Sequence, residues 1–219
     1  MLFSIMCAAY VQVLDAQFAI GAFGGKGTDQ AWAANMSHLG LLGEFRTAVL
    51  PTTVARLSVT YHLPVVDQYV EYAPSQSAGM EGNLLSETTG RKSILVTALD
   101  LKWPFQNDAC TDGYYKGAYF FAGVGWALRS HIIDAWKHDQ AGVVTTSHSD
   151  YLNNQLSLRF GFGGEWNFRW GSPFVEGLIT ASTSPEARDQ TFLFPGTLSV
   201  SIGYRFSFAH PEPESEEEL

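Results

Sequence analysis

Apolar and polar residues alternate with a period of two along much of the chain, as strands do when one face meets a greasy surrounding and the other a polar one. In QLSLRFGFGGEWNF the positions Leu156, Leu158, Phe160, Phe162, Trp166 and Phe168 are apolar, against Gln155, Ser157, Arg159, Gly161, Gly163, Glu165 and Asn167. VARLSVTYHL sets Leu57, Val59, Tyr61 and Leu63 against Arg56, Ser58, Thr60 and His62. The last such stretch sets Leu198, Val200, Ile202, Tyr204, Phe206 and Phe208 against Ser199, Ser201, Gly203, Arg205 and Ser207. The pattern predicts eight strands, at 17–25, 38–50, 54–64, 92–105, 115–130, 153–168, 173–183 and 196–208. The connections between them run long (26–37), short (51–53), long (65–91), fairly short (106–114), long (131–152), short (169–172) and intermediate (184–195). Short turns at one end and long loops at the other mark an up-and-down meander set in a membrane, and each segment has the roughly 9–11 residues a tilted spanning strand needs. No window reaches the roughly 18 consecutive apolar residues of a transmembrane helix.

Which face is apolar separates a barrel in lipid from a soluble sandwich. The polar-side set carries charges of both signs, Glu44, Arg46, Arg56, Asp100, Lys102, Arg129, Arg159, Glu165, Glu176 and Arg205, together with many small residues. The other set is bulky and almost free of charge. Eight strands leave an interior only wide enough for side chains, so small residues and mutually paired charges suit its inside and lipophilic residues its outside. The expected fold is therefore all-β, a transmembrane eight-stranded antiparallel up-and-down β-barrel, with the charged set as an interior ion-pair network. Trp103, Phe105, Trp166, Phe168, Trp170, Phe206 and Phe208 fall near the short-turn end and Tyr61 and Trp126 towards the other, as two aromatic girdles would.

Composition sharpens this. Of 219 residues 46% are hydrophobic, which alone fits a soluble domain, but only 16% are charged, against about 25% for soluble proteins. The net charge of −9 disfavours nucleic acid as a partner, although five glutamates of that total sit in the terminal PEPESEEEL. Residues 1–16, MLFSIMCAAYVQVLDA, read as an export signal, apolar and too short to span a bilayer, though lacking a basic residue near the start. The expected organisation is a signal at 1–16, the barrel at 17–208 and an acidic periplasmic tail at 209–219. Cys7 lies in the signal and Cys110 in a turn, so the mature chain has no intramolecular disulfide to make.

SIGYRFSF, with Ser201, Gly203, Phe206 and Phe208, resembles the C-terminal signal of bacterial outer-membrane β-barrels, and strand count and chain length resemble the small barrels of the OmpA/OmpX type. The resemblance implies a place in the outer membrane of a Gram-negative bacterium, contact with its lipid and lipopolysaccharide, and recognition of the last strand by the barrel-assembly machinery. The extra AHPEPESEEEL departs from the family, whose chains commonly stop at the aromatic.

Candidate chemistry is sparse. His38, His62, His131, His138 and His148 map to the long-loop end or the loops beyond it, where solvated imidazole is the plain reading; His210 lies in the tail. They lack any metal-ligand spacing, and no metal or cofactor is expected. SHSD, Ser147 to Asp150, places His148, Ser149 and Asp150 together in a predicted loop as a nucleophile, base and acid. The segments DQYVEYAPSQSAGMEGNLLSETTGR and HIIDAWKHDQAGVVTTSHSD, with Tyr69, Tyr72, Trp136 and Tyr151, offer a recognition surface for a protein partner, as does the acidic tail. The expected role is non-enzymatic, structural or surface-interacting. The alternatives are a deacylase-like barrel acting on lipid A and an accessory subunit of an export or uptake complex.

Overall fold

The computed structural model describes residues 17–29, 34–46, 53–72, 84–105, 117–138, 143–166, 171–183 and 193–207. These form β1 (Gln17–Asp29), β2 (Ala34–Arg46), β3 (Val54–Tyr72), β4 (Leu84–Pro104), β5 (Gly117–His138), β6 (Val144–Glu165), β7 (Ser172–Thr183) and β8 (Leu193–Ser207). Each strand pairs antiparallel with the next, and β8 returns to β1 in a register running from Ala19↔Ser207 to Asp29↔Thr197, which closes the barrel. Closure follows from the chemistry of an edge: an open strand leaves a row of unpaired backbone donors and acceptors, and pairing β8 with β1 satisfies them within the sheet. The two-residue period sorts the faces. Leu57, Leu99, Val124, Leu156, Phe160 and Ile202 stand outward and exposed, whereas Arg56, Asp100, Ser157, Arg159 and Ser201 are buried inside.

The strand bounds depart from the sequence expectation in one systematic way. The stretches 65–91 and 131–152, expected as loops, are mostly strand, because β3 runs to Tyr72, β4 starts at Leu84, β5 runs to His138 and β6 starts at Val144. The first expected loop, 26–37, also shrinks, since β1 reaches Asp29 and β2 begins at Ala34. In the long extensions most side chains on both faces are exposed or half-buried, so no apolar face imposes a period of two, and the strands are held by ladder bonds and cross-strand pairs instead. The asymmetry of the molecule thus lies in strand length, with β3 to β6 projecting beyond the barrel as a four-stranded sheet.

Two register shifts have a local cause. One falls between His62 and Val65 on β3, around Pro64, and the other at Thr180/Ala181 opposite Pro195 and Gly196. Proline donates no ladder hydrogen bond, so a bulge is where a strand tolerates it. The first bulge leaves Val65 facing the axis, against the buried cluster of Met36, Ile94 and Val96.

The interior is not uniformly small, contrary to the simple division of bulky outside and small inside. Tyr119, Phe121 and Phe174 point inward, and Phe121 lies where a Cβ on Gly161 would come within 2.2 Å of its ring. Aromatic rings therefore occupy the room that facing glycines leave. Gly123 is tighter still: a Cβ there would meet the Leu99 carbonyl oxygen at 2.1 Å and Asp100 Oδ1 at 2.4 Å. Overpacking costs about 1–3 kcal/mol where the surroundings can yield, and here one obstacle is backbone. Gly123→Val is expected to lower urea stability in detergent by at least that much, whereas Gly164→Ala, whose Cβ meets nothing nearer than 4.0 Å, leaves it unchanged.

Candidate functional site

The inward-facing residues fall into layers. Nearest the end of the barrel where β1 begins and β8 finishes is an ionic layer of Glu44, Arg56, Lys102, Glu165, Glu176 and Arg205, all buried. Arg56 Nε donates to Glu44 Oε1 at 3.0 Å, and its terminal nitrogens grip both oxygens of Glu176, one at 2.9 Å. Lys102 Nζ donates to Glu165 Oε2 at 2.8 Å and to Glu44 Oε1 at 3.4 Å, while Arg205 bridges the same two carboxylates, reaching Glu165 at 2.7 Å. Tyr119 donates its hydroxyl to Glu176 at 2.5 Å, and Lys102 sits over the Tyr119 ring at 3.9 Å. Three carboxylates face three cations, so the layer is neutral as a whole although each member is out of water. Removing one partner strands a buried charge, which typically costs about 3–5 kcal/mol.

One step outward, Arg159 holds Asp100 through Nε at 3.0 Å. Above it lies a cavity of about 50 Å³ whose lining includes Ser58, Thr60, His62, Ser157, Thr180 and Ser201. The outermost layer is an apolar cluster of Ala34, Met36, Ile94, Val96, Ala98 and Ala127, with the Arg129–Asp29 pair at 2.8 Å. Asp29 and Tyr119 belong to this interior and were not among the residues the sequence singled out. Asp29 sits in a glycine-rich stretch whose alternation is weak, and Tyr119 in an aromatic run, YYKGAYFF, whose parity is ambiguous. The side chain of Arg46 lies outside the described residues.

His38 and His62 are not solvated loop histidines. Both are buried inside the barrel, with ring centroids 5.3 Å apart, and His38 Nε2 lies 2.8 Å from Ser201 Oγ. His38 alternates in phase with Met36, Leu42 and Glu44 on β2, and His62 with Ser58 and Thr60 on β3, which turns both to the axis. His131 stands half-buried on the inward face of the projecting sheet, its ring 6.4 Å from that of Tyr151. The side chain of His138 and the whole of His210 lie outside the described residues. Among the described residues no three potential metal ligands come together.

The SHSD stretch is strand, not loop. His148 pairs in register with Asp134 of β5, and its Nδ1 lies 2.6 Å from Asp134 Oδ1 on the outward face. Ser149 is the next residue along the strand, so its side chain projects to the other face, away from that pair. A nucleophile must lie within hydrogen-bond reach of its base, and these neighbours do not. The His148–Asp134 pair instead belongs to an open cleft of about 500 Å³ that also includes Glu87, Trp136 and Thr146, with Trp136 Nε1 donating to Glu87 at 3.1 Å. Of the residues read as the barrel-assembly signal, Ser201 faces inward, Phe206 faces outward, and Phe174 fills the space beside Gly203. Phe208 lies outside the described residues.

No protein-family model matches this chain, and no curated protein matches it. Among solved structures it is similar to Ail, the attachment invasion locus protein of Yersinia pestis, crystallised with the heparin analogue sucrose octasulfate, at 10% identity and a TM-score of 0.43, covering 87% of this chain and 97% of that one. It is also similar to a major outer membrane protein of Thermus thermophilus at 14% identity and a TM-score of 0.43, covering 88% and 99%. The N-terminal β-barrel domain of Pseudomonas aeruginosa OprF matches at 13% identity and a TM-score of 0.41, covering 89% and 98%. The barrel itself rests on the strand pairing described above.

Two outcomes test this geometry. Glu44→Gln is expected to lower the stability of the folded barrel by about 3–5 kcal/mol in urea titrations followed by tryptophan fluorescence; a change below about 1 kcal/mol, the scale of a solvated pair, would contradict a dry ionic layer. The hydrogen bond that His148 donates to Asp134, reinforced by the carboxylate's charge, holds His148 above the ordinary histidine range. Whatever stability that pair contributes is present below the unfolded-state pKa and is lost as pH rises through the raised folded value. A histidine proton-resonance titration of His148 is expected to fall back to the ordinary midpoint in Asp134→Asn.

Proposed function

We propose that the chain is a bacterial outer-membrane β-barrel protein that presents its projecting sheet to the outside, with a non-enzymatic role in surface interaction. The observation that carries this is the inversion of the faces. Leu99, Trp126, Leu156, Phe160, Val200 and Ile202 stand exposed on the outside of a closed barrel, while Lys102, Arg129 and Arg205 are buried within it. Water rewards the opposite arrangement, whereas hydrocarbon rewards this one. Apolar patches of this extent on a soluble monomer would drive aggregation. The neutral ionic layer argues for a plug rather than a channel, since eight strands leave only enough interior for the side chains that fill it.

On this reading residues 1–16 direct export, the last strand is the element the barrel-assembly machinery engages, and lipid and lipopolysaccharide surround the outward face. The projecting sheet supplies the interaction surface. Tyr69, Tyr72, Trp136 and Tyr151 lie on it, the three tyrosines well exposed, and aromatic side chains of this kind anchor recognition interfaces.

Substitution on the outward face separates lipid from water as its surroundings. Leu99→Arg is expected to destabilise the protein folded into lipid vesicles by about 2–4 kcal/mol, the cost of an arginine at mid-bilayer. An effect within about 0.5 kcal/mol, normal for a solvated surface position, would overturn the membrane assignment.

A further inference from the structure

The projecting sheet has two edges that differ. Within the ring β6 pairs with β7 only from Ser157 to Glu165, yet it continues beside β5 from Val144 onwards. Among the described residues, the stretch 144–156 therefore pairs with no strand on its other side. Likewise β3 has no described partner on its β2 side beyond His62. Exposed edges invite pairing with another strand, and proteins blunt them with proline, bulges and charge. The β3 edge carries all three: Pro64, the bulge beside it, and the carboxylates of Asp67 and Glu71. The β6 edge, VTTSHSDYL, has neither proline nor bulge and a single carboxylate, Asp150; it opens with three β-branched residues and exposes Tyr151 and Leu152 at 58% and 66%.

We propose that the free β6 edge is a homophilic contact site, pairing antiparallel with the same edge of a second copy held in a facing membrane. This rests on the membrane reading above. Symmetry and charge choose the occupant. A two-fold axis normal to the sheet keeps outward residues outward, so the pairing must centre on a residue. Centred on Ser149, it sets His148 against Asp150 of the partner subunit, twice over. Centred on His148 it would oppose like imidazoles, and centred on Asp150 like carboxylates, which cross-strand neighbours disfavour. The axis also fixes the relation between barrels. It reverses the strand direction and turns the partner barrel upside down, whereas two copies side by side in one membrane, with strands tilted about 35–45°, would cross at a steep angle.

The test uses full-length barrels in neutral phosphatidylcholine vesicles, with insertion verified by the slower gel migration of boiled protein. Vesicles carrying the protein are expected to cluster, read by light scattering. With Cys7 and Cys110 replaced by serine, Ser149→Cys forms a disulfide-linked dimer under mild oxidation, and Thr145→Cys, displaced from the axis, does not. Asp150→Lys and His148→Asp each weaken clustering about tenfold, the size expected when two cross-strand pairs turn repulsive. Mixing vesicles of the two variants restores it. The carboxylate introduced at position 148 of one variant then meets the ammonium introduced at position 150 of the other, and the unaltered Asp150 of the first meets the unaltered His148 of the second. Inserted protein that leaves vesicles dispersed, equal crosslinking at 145 and 149, or clustering indifferent to both charge changes would overturn the proposal. Protein that fails to insert would refute the membrane reading itself.

Discussion

The narrowness of an eight-stranded ring governs this molecule. Closure of β8 on β1 satisfies the edges of the sheet within the barrel, and it leaves an interior that side chains fill. Any charge placed there must meet its opposite within a few ångströms, because a buried charge left without a partner costs about 3–5 kcal/mol, a large share of a folding stability of about 5–15 kcal/mol. The arrangement of Glu44, Arg56, Lys102, Glu165, Glu176 and Arg205 is the result: each cation touches two carboxylates or both oxygens of one, and Glu44 serves three cations.

The same constraint explains the other interior layers. Where the sequence supplies serine and threonine instead of charge, the lumen keeps a small polar cavity, and His38 finds Ser201 across it. Where it supplies alanine, methionine and isoleucine, the lumen closes with an apolar cap. Tyr119 and Phe121 fit because Gly161 and Gly163 face them without a Cβ. The interior is thus built in the way of a soluble core with polar members, and the exterior is the part suited to hydrocarbon.

This division decides what the sequence disclosed. Wherever one face of a strand is greasy and the other polar, the alternation is sharp, so the portions of β3, β6 and β8 within the ring and the inward turn of Arg56, Arg159 and Arg205 are readable from the chain alone. Beyond the greasy band that contrast vanishes. The outer halves of β3 to β6 consequently look like loops, although threonine, valine and tyrosine there favour pairing. His38 and His62 mislead for a different reason: their parity points inward, but histidine is more familiar on a wet surface. The pairing of His148 with Asp134 depends on the register between β5 and β6, which no local pattern specifies.

The strands β3 to β6 run from the barrel into the projecting sheet without a break. The central claim is that lipid wets the odd positions of β4 while the even positions face a packed interior. It is tested most directly by nitroxide labels placed singly from position 95 to position 101 in lipid vesicles. The account predicts that oxygen, which concentrates in hydrocarbon, relaxes labels at 95, 97, 99 and 101 strongly and those at 96, 98 and 100 weakly. Strong relaxation of the odd positions by a water-soluble nickel chelate instead would contradict it.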